Sequence, residues 1–323
     1  MGTPTPGIAR INLPKQRTHA GFPGLCRLAD GRLLHVWRDG PEHTGGSDGR
    51  ILGQRLTAGF HPLGAPFLLF DWALDVRDPS VSLSRDGRTV YLTFFSYTSA
   101  TDHTSWFSTS TDEGTTFGAP VRIDPGSTRL ATTAPVVQRP NGTLLAFCYG
   151  RRIGNEARDS AYAYRSTNGG ASWSPVTMAN GPAAGRDYQE PWAISLRNGA
   201  VLAALRYGSQ DRIAVTASLD DGGTWSAVTP KFPGWGRPAL VELATGPTIC
   251  VYRSPIGFPY HALYRVSQDR GGTWSPGATL ATAGAQMTSA APIEIGDGLV
   301  AMSLGLESNA TTSSLIGLHM LDV

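Results

Sequence analysis

Short apolar runs interrupted by glycine-centred turns recur along the whole chain. Each unit opens at a proline, continues as an apolar run, turns at a glycine and returns in a second apolar run. Asp-Gly or Asn-Gly between two such runs is a strong hairpin signal, and proline suits the first residue of a strand. No apolar stripe of helical period persists, so the pattern predicts an all-β protein. The six openings are Phe22-Pro23, Asp78-Pro79, Ala134-Pro135, Glu190-Pro191, Arg237-Pro238 and Ala291-Pro292.

Four eight-residue segments share the pattern Ser-x-Asp/Asn-x-Gly-x-Thr/Ser-Trp/Phe. They occupy residues 110–117, 166–173, 218–225 and 267–274, and they start 56, 52 and 49 residues apart. Recurrence at this period is typical of repeated small antiparallel sheets. The Asp or Asn and the Gly suit a tight turn. The final aromatic ring can pack between neighbouring sheets, where such a side chain buries about 150–250 Å².

These segments resemble the Asp-box of the sialidase superfamily. With the six openings, the resemblance implies a sialidase-like, six-bladed β-propeller of four-stranded antiparallel blades. The first unit has only a degenerate box at residues 56–60, and we expect an N-terminal strand to complete the last blade. The expected blades cover residues 18–62, 75–120, 131–176, 187–228, 235–277 and 288–323.

Composition narrows the classes of partner. A formal net charge of +2 with 16% charged residues and no basic run argues against nucleic-acid binding. No apolar stretch approaches the roughly 20 residues of a membrane helix, and the first residues lack the features of a signal peptide. We therefore expect a cytoplasmic protein, or a secreted one whose leader has been removed. Closed sheet edges and no coiled-coil segment favour a monomer.

Neither a metal nor another cofactor is expected. The seven histidines are scattered without metal-binding spacing. Cys26, Cys148 and Cys250 lie in different predicted blades without a Cys-x-x-Cys motif, which favours buried free thiols.

Residues just before the opening prolines should ring the mouth of the central tunnel, the default place for a ligand. Three of these segments carry charge: Arg77 with Asp78, Tyr188-Gln189-Glu190, and Arg237. A belt of salt bridges that holds the blades together is the structural alternative to a binding site.

Arginines recur at a second position, seven residues after the turn glycine. They are Arg38, Arg206 and Arg253. Because a planar guanidinium binds carboxylates through two hydrogen bonds, arginines that converge on one mouth favour an anionic small-molecule or glycan substrate. Taken singly, each arginine is more simply explained as a surface residue, and only the recurrence at one blade position brings a binding role level with that explanation.

The resemblance also implies individual roles. The segment from Glu190 to Arg206 is similar to the sialidase segment in which a glutamate assists a tyrosine nucleophile and an arginine binds the substrate carboxylate. By this resemblance Glu190 is the base and Arg206 a carboxylate clamp, and Asp39 or Asp48 is the acid/base. Elsewhere the family pattern is lost. Gly21 replaces the first arginine, residues 258–261 read Phe-Pro-Tyr-His, and no tyrosine occurs at residues 287–292.

Three functions stay open, and an enzyme is favoured. In a glycosidase with an altered centre, Asp78 and Glu190 would act as acid and base, with the carboxyl farther from an arginine as the acid. A lyase could draw its proton-transfer groups from Tyr260, His261 and Tyr188. A non-catalytic propeller would bind a glycan or protein through exposed aromatic residues. The candidate aromatics are Trp37, Trp106, Trp192 and Trp235.

Overall fold

The computed structural model confirms an all-β chain built as a six-bladed propeller. It describes residues 17–43, 48–208, 212–255, 261–282, 286–296, 298–309 and 313–322. The expected N-terminal closing strand lies outside these residues. The described part of the chain contains one helix, α1 (Gly181–Ala184), whose first turn is capped by Asn180.

Blades one and two hold the first eight strands. Blade one contains β1 (His19–Arg27), β2 (Leu33–Gly40), β3 (Arg50–Leu56) and β4 (Phe67–Asp71). Blade two contains β5 (Asp75–Leu83), β6 (Val90–Ser99), β7 (Asp102–Ser110) and β8 (Val121–Arg122). In both, the strands pair in sequence order. The fourth strand of each of these blades follows the Asp-box turn. Blade one therefore continues to Asp71, beyond its expected end at residue 62.

Blade three is less regular because its inner strand is split. It contains β9 (Ser127–Thr132), β10 (Val137–Gln138), β11 (Leu144–Arg152), β12 (Asn155–Ser166) and β13 (Ser174–Ala179). A single parallel pair, His103 with Arg129, links β7 to β9 and joins blades two and three at the mouth.

Blades four to six complete the ring. Blade four contains β14 (Tyr188–Ser195), β15 (Val201–Tyr207), β16 (Arg212–Ser218) and β17 (Thr229–Pro233). Blade five contains β18 (Trp235–Glu242), β19 (Thr248–Arg253), β20 (His261–Ser267) and β21 (Ala278–Thr282). Blade six contains β22 (Gln286–Gly296), β23 (Leu299–Asn309) and β24 (Ser313–Asp322). Strand β22 packs against β1, which brings the last blade beside the first.

The Asp-boxes join each blade to the preceding one. Trp173 of blade three packs edge-on against Phe107 of blade two, with ring centroids 5.0 Å apart. Trp225 lies 6.2 Å from Phe147, again across a blade boundary. The cysteines are free and buried, as predicted.

Candidate functional site at the mouth of the propeller

The inner strands of blades one, two, four and five each carry a β-bulge at the opening proline. The register shifts between Arg77 and Ser80 in β5 and between Gln189 and Trp192 in β14. Phe22, Asp78 and Glu190, the residues before the prolines of blades one, two and four, have φ angles of 54°, 51° and 52°. Non-glycine residues seldom adopt this left-handed conformation, and such strain clusters at functional sites. The bulge redirects the side chain of each strained residue.

Arg237 crosses the propeller axis. It lies in blade five, yet its Nη1 is 3.7 Å from Oδ1 of Asp78 in blade two, which faces blade five across a ring of six. Its Nη2 donates to the Thr133 carbonyl oxygen and lies 3.4 Å from the Ser80 hydroxyl. Nε and Nη1 have no hydrogen-bond partner in the described part of the chain. One nitrogen therefore anchors the guanidinium, and two remain to bind a ligand.

Asp78 is a buried carboxyl with an uncommitted oxygen. Its side chain is 10% exposed, and Oδ1 accepts no hydrogen bond from the described residues. Burial raises the pKa of Asp78, the positive charges of Arg237 and Arg77 oppose this shift, and the Glu190 carboxylate adds to it. Desolvation disfavours the charged form of a carboxyl. The position therefore favours a proton donor.

Glu190 sits in a different environment. Arg206 Nη1 donates to its Oε2 over 3.1 Å. The same arginine donates through Nη2 to Oε1 of Gln189, whose Nε2 donates to Asp159. The carboxylate of Asp159 in turn contacts two further arginines of blade three, Arg129 at 3.0 Å and Arg151 at 3.1 Å. This network fixes the guanidinium of Arg206 against Glu190.

Tyr149 belongs to the same cluster, and the sequence analysis missed it. Burial raises the pKa of this tyrosine, the negative charges of Glu190 and Asp78 add to the rise and the positive charge of Arg206 opposes it, so the hydroxyl stays protonated. It lies on β11, seven residues after Gly142, at the spacing that places Arg206 after Gly199. A polar residue of any kind, not only arginine, at this spacing after a turn glycine would have pointed to Tyr149.

Arg38 and Asp39 form ion pairs within blade one and with blade two. Arg38 is fully buried, and its Nε and Nη2 bind the Asp75 carboxylate at 2.7 and 3.0 Å. Asp39 is fully buried too, and Arg50 Nη2 lies 3.0 Å from its Oδ2. Their roles in binding and catalysis stay predictions, and neither residue enters the proposal below.

Arg77 lies at the edge of the cluster among aromatic rings. Its guanidinium carbon is 5.0 Å from the Phe22 ring centroid and 5.5 Å from that of Tyr97. Its Nη2 donates to the carbonyl oxygen of His43 over 2.8 Å. Cation–π contacts and this hydrogen bond hold the side chain near Asp78.

The other predicted site residues lie apart from the axial pair. Tyr188 is buried, with its ring 5.5 Å from that of Tyr207. The guanidinium carbon of Arg253 lies 4.5 Å from the Trp235 ring centroid. His261 Nδ1 is 3.1 Å from the Thr282 hydroxyl on β21, the outermost strand of blade five. Tyr260 lies outside the described residues.

The aromatic residues considered for a binding module are mostly packed inside the fold. Trp37 is fully buried and stacks on His35 at 5.1 Å. Trp192 is 4% exposed, and its Nε1 donates to the Leu240 carbonyl oxygen of blade five over 3.0 Å. Trp106 donates through Nε1 to Ser96 over 3.0 Å. Buried rings offer no face to a glycan.

The described residues contain no group of three or more His, Cys, Asp or Glu side chains that could hold a metal ion. Within the same residues, no helix has the length and apolar character needed to cross a membrane.

Comparison with known proteins supports the fold. A BNR repeat-like domain matches residues 79–233. A protein of unknown function from Dyadobacter fermentans superimposes with a TM-score of 0.84 at 16% identity, covering 99% of both chains. No curated protein matches the sequence.

Two structural neighbours are trans-sialidases. The intramolecular trans-sialidase from Ruminococcus gnavus, in complex with oseltamivir carboxylate, has a TM-score of 0.76 at 11% identity, over 98% of this chain and 97% of that one. The leech intramolecular trans-sialidase, complexed with 2,7-anhydro-Neu5Ac, has a TM-score of 0.76 at 12% identity, over 99% of this chain and 70% of that one. The Asp-boxes, the match over residues 79–233 and these neighbours agree, and the chain has the propeller fold of these sialidase-like structures.

Proposed function

We propose that this protein is a glycoside hydrolase that acts on an anionic, carboxylate-bearing sugar in the mouth of the propeller, with a catalytic centre that differs from that of sialidases. The observation that carries the proposal is the unsatisfied polar cluster on the axis. Asp78 Oδ1, Arg237 Nε and Nη1, and Arg206 Nε are buried and have no hydrogen-bond partner among the described residues. Buried polar groups nearly always have a hydrogen-bond partner, so these free donors and acceptors favour a bound ligand at this position.

The two carboxyls have environments suited to opposite roles. Asp78 is 3.7 Å from its nearest arginine and makes no hydrogen bond to it, whereas Glu190 accepts one from Arg206 at 3.1 Å. By the criterion of distance from an arginine, Asp78 is the acid and Glu190 the base. The raised pKa of Asp78 agrees with this assignment.

The arginines select an anionic substrate. With Asp78 protonated, the set of Asp78, Glu190, Arg206 and Arg237 carries one net positive charge. Arg237 is anchored through Nη2, so its Nε and Nη1 are held in place for a carboxylate at little entropic cost. Tyr149 adds a neutral hydroxyl that can donate to a sugar oxygen.

Hydrolysis on this centre requires no further reagent. Asp78 donates its proton to the glycosidic oxygen as the bond from that oxygen to the anomeric carbon breaks. Glu190 takes a proton from water as the water oxygen bonds to the anomeric carbon. Direct attack by water inverts the anomer, and a covalent intermediate would retain it, so NMR of the first product distinguishes the two routes.

The test is turnover of a substrate panel by the wild-type protein and two isosteric variants. The panel holds a fluorogenic sialoside, aryl glycosides and uronides, and uronate polymers. Asp78→Asn and Glu190→Gln should each lower kcat/KM on the accepted substrate by about 10²–10⁴-fold, the usual contribution of a general acid or base. Glu242→Gln, the same change at the opposite end of the axis, is the matched control and should keep full activity. Full activity in either carboxyl variant would refute the assignment.

The same panel separates the two other functions. A lyase would release an unsaturated uronate, seen by its ultraviolet absorbance, whereas a hydrolase would not. If the panel shows no turnover but uronates bind, and the two carboxyl variants bind them equally well, the protein is a binding module.

A further inference from the structure

A second cavity lies on the axis beyond the charged cluster. Its volume is about 330 Å³, and residues that follow the opening prolines line it. It therefore lies toward the hairpin end of the inner strands, away from the mouth. Side chains from blades one, two, four, five and six form its walls, among them Leu25, Val81, Ile194, Leu240 and Ile293.

Trp192 links the wall of this cavity to the charged cluster of the mouth. Trp192 forms part of the cavity wall, and the guanidinium carbon of Arg237 lies 5.9 Å from the Trp192 ring centroid. The indole N–H is bound to the Leu240 carbonyl oxygen. Trp192 therefore contacts both the cavity and the Arg237 guanidinium.

Most of the wall is apolar, Arg27 lies exposed at the edge, and the two carboxylates there are already engaged. Glu242 Oε2 accepts from the Arg197 backbone N–H over 2.7 Å, and Glu294 accepts from the Ala244 N–H over 2.7 Å. A second hollow of about 380 Å³ shares Ser82, Pro135, Ile194, Val241 and Glu242 with the first, which lengthens the space along blades two to five.

We propose that this axial cavity is a binding site for a neutral, aromatic or alkyl small molecule, independent of the mouth. Hollows with mostly apolar walls bind apolar ligands. The volume falls within the range of small-molecule sites. A charged ligand would lose its hydration against walls that are mostly apolar, with Arg27 as the one cationic side chain among the lining residues.

Two fluorescent probes that differ by one sulfonate test the proposal. N-phenyl-1-naphthylamine is neutral, and 1-anilinonaphthalene-8-sulfonate has the same aromatic body with a negative charge. In titrations of the folded full chain, the neutral probe should bind at one saturable site, at least about tenfold tighter than the sulfonate. Equal binding of the two probes would overturn the proposal.

Variants locate the site. Ile194→Phe and Ile293→Phe enlarge partly buried wall residues, so they fill the cavity without overpacking the core, and each should weaken the neutral probe at least about tenfold. Leu219→Ser removes a leucine that is 86% exposed and controls for surface binding. Glu190→Gln should leave probe binding unchanged. The probe experiment therefore tests the cavity independently of the proposed catalysis. If both isoleucine variants fold and bind the probe as the wild type does, the cavity is not the site.

Discussion

Arg38 and Arg237 are both buried arginines of the mouth, but their partners differ. Two nitrogens of Arg38 bind the Asp75 carboxylate, whereas two nitrogens of Arg237 have no hydrogen-bond partner among the described residues. Burial of an arginine therefore does not by itself mark a ligand site. The number of uncommitted donors is the better criterion.

Lysine substitutions at these two positions should separate binding from stability. Because lysine cannot reproduce a two-nitrogen contact, Arg237→Lys should raise KM for the anionic substrate by about 10–100-fold. Arg38→Lys should leave KM unchanged but lower the free energy of unfolding by about 3 kcal/mol, since it disrupts a buried pair. Steady-state kinetics and denaturant unfolding measure the two effects. An unchanged KM in Arg237→Lys would contradict the proposed anion contact.

Tyr149→Phe removes only the hydroxyl near the two carboxyls. If that hydroxyl donates to the substrate, the variant should lose about tenfold in kcat/KM, the equivalent of one hydrogen bond. Tyr188→Phe, at a buried tyrosine of blade four, is the control and should stay within twofold (about 0.4 kcal/mol). Equal losses in both variants would mean that Tyr149 has no special contact with the substrate.

Asp78 should set the alkaline limb of the pH profile. Activity requires its protonated form, so kcat/KM falls as pH rises through the raised pKa of Asp78. The positive charge of Arg77 lowers that pKa. Arg77→Gln should therefore move the alkaline limb to higher pH, whereas Arg129→Gln should leave it in place. A shift of the limb to lower pH in Arg77→Gln would contradict the assignment of the acid.

Strand order, turns and inter-blade contacts followed closely from the sequence because each depends on local chemistry. The box glycines show the reason. Gly114, Gly170, Gly222 and Gly271 have φ angles between 70° and 93°, and a Cβ at each would lie within 3.0 Å of a side-chain atom of the preceding blade. Glycine at this position therefore serves both the turn and the contact between blades.

Alanine at two glycines of blade three separates these requirements. Gly170 has φ +93°, and a Cβ there would lie 2.0 Å from Phe107. Gly142 has φ +86° with no atom within 4 Å of the added carbon. Gly142→Ala should cost about 1–2 kcal/mol of unfolding free energy from strain alone, and Gly170→Ala about 1–3 kcal/mol more from overpacking. Equal costs in denaturant unfolding would show that the box glycine serves the turn alone.

His35 links the first blade to the last. Its Nε2 lies 2.9 Å from the Ser303 hydroxyl on β23, and burial lowers its pKa to about 3. The folded state holds the ring neutral, whereas the unfolded chain takes up a proton below about pH 6.5. Stability should therefore fall as pH drops from about 6.5 toward 3, by up to about 1.4 kcal/mol per pH unit.

His35→Gln should flatten this dependence. Chemical denaturation at several pH values between 4 and 7 measures the slope for both proteins. His61→Gln, at an exposed histidine of blade one, is the control and should keep the wild-type slope. A wild-type slope in His35→Gln would mean that other groups cause the acid sensitivity.

For the molecule as a whole, the sequence predicted the ring and the charged mouth but not the contacts across the axis. Asp78, Glu190, Arg206 and Arg237 were all identified from their place before a proline or after a turn glycine. Which of them meet depends on the reach of Arg237 from blade five to blade two. The burial of Tyr188 and the pairing of Arg38 with Asp75 could not be predicted either, because both depend on side-chain orientation rather than on strand order.

The two ends of the axis have opposite chemistry. The mouth contains arginines and carboxyls, including Arg237 nitrogens without a hydrogen-bond partner among the described residues. The walls of the far cavity are mostly apolar. Arg237 of the mouth contacts Trp192, which forms part of the cavity wall. A ligand at either end is therefore expected to leave the other end accessible.

The central claim is that Asp78 and Glu190 act as acid and base on a carboxylate-bearing sugar. Its most direct test is kcat/KM for wild type, Asp78→Asn, Glu190→Gln and Glu242→Gln on matched aryl glucoside and aryl glucuronide substrates. We predict that the glucuronide is turned over in preference to the glucoside. Asp78→Asn and Glu190→Gln should each lower kcat/KM by about 10²–10⁴-fold, and Glu242→Gln should keep the wild-type value. Preference for the neutral glucoside, or wild-type rates in Asp78→Asn and Glu190→Gln, would contradict the claim.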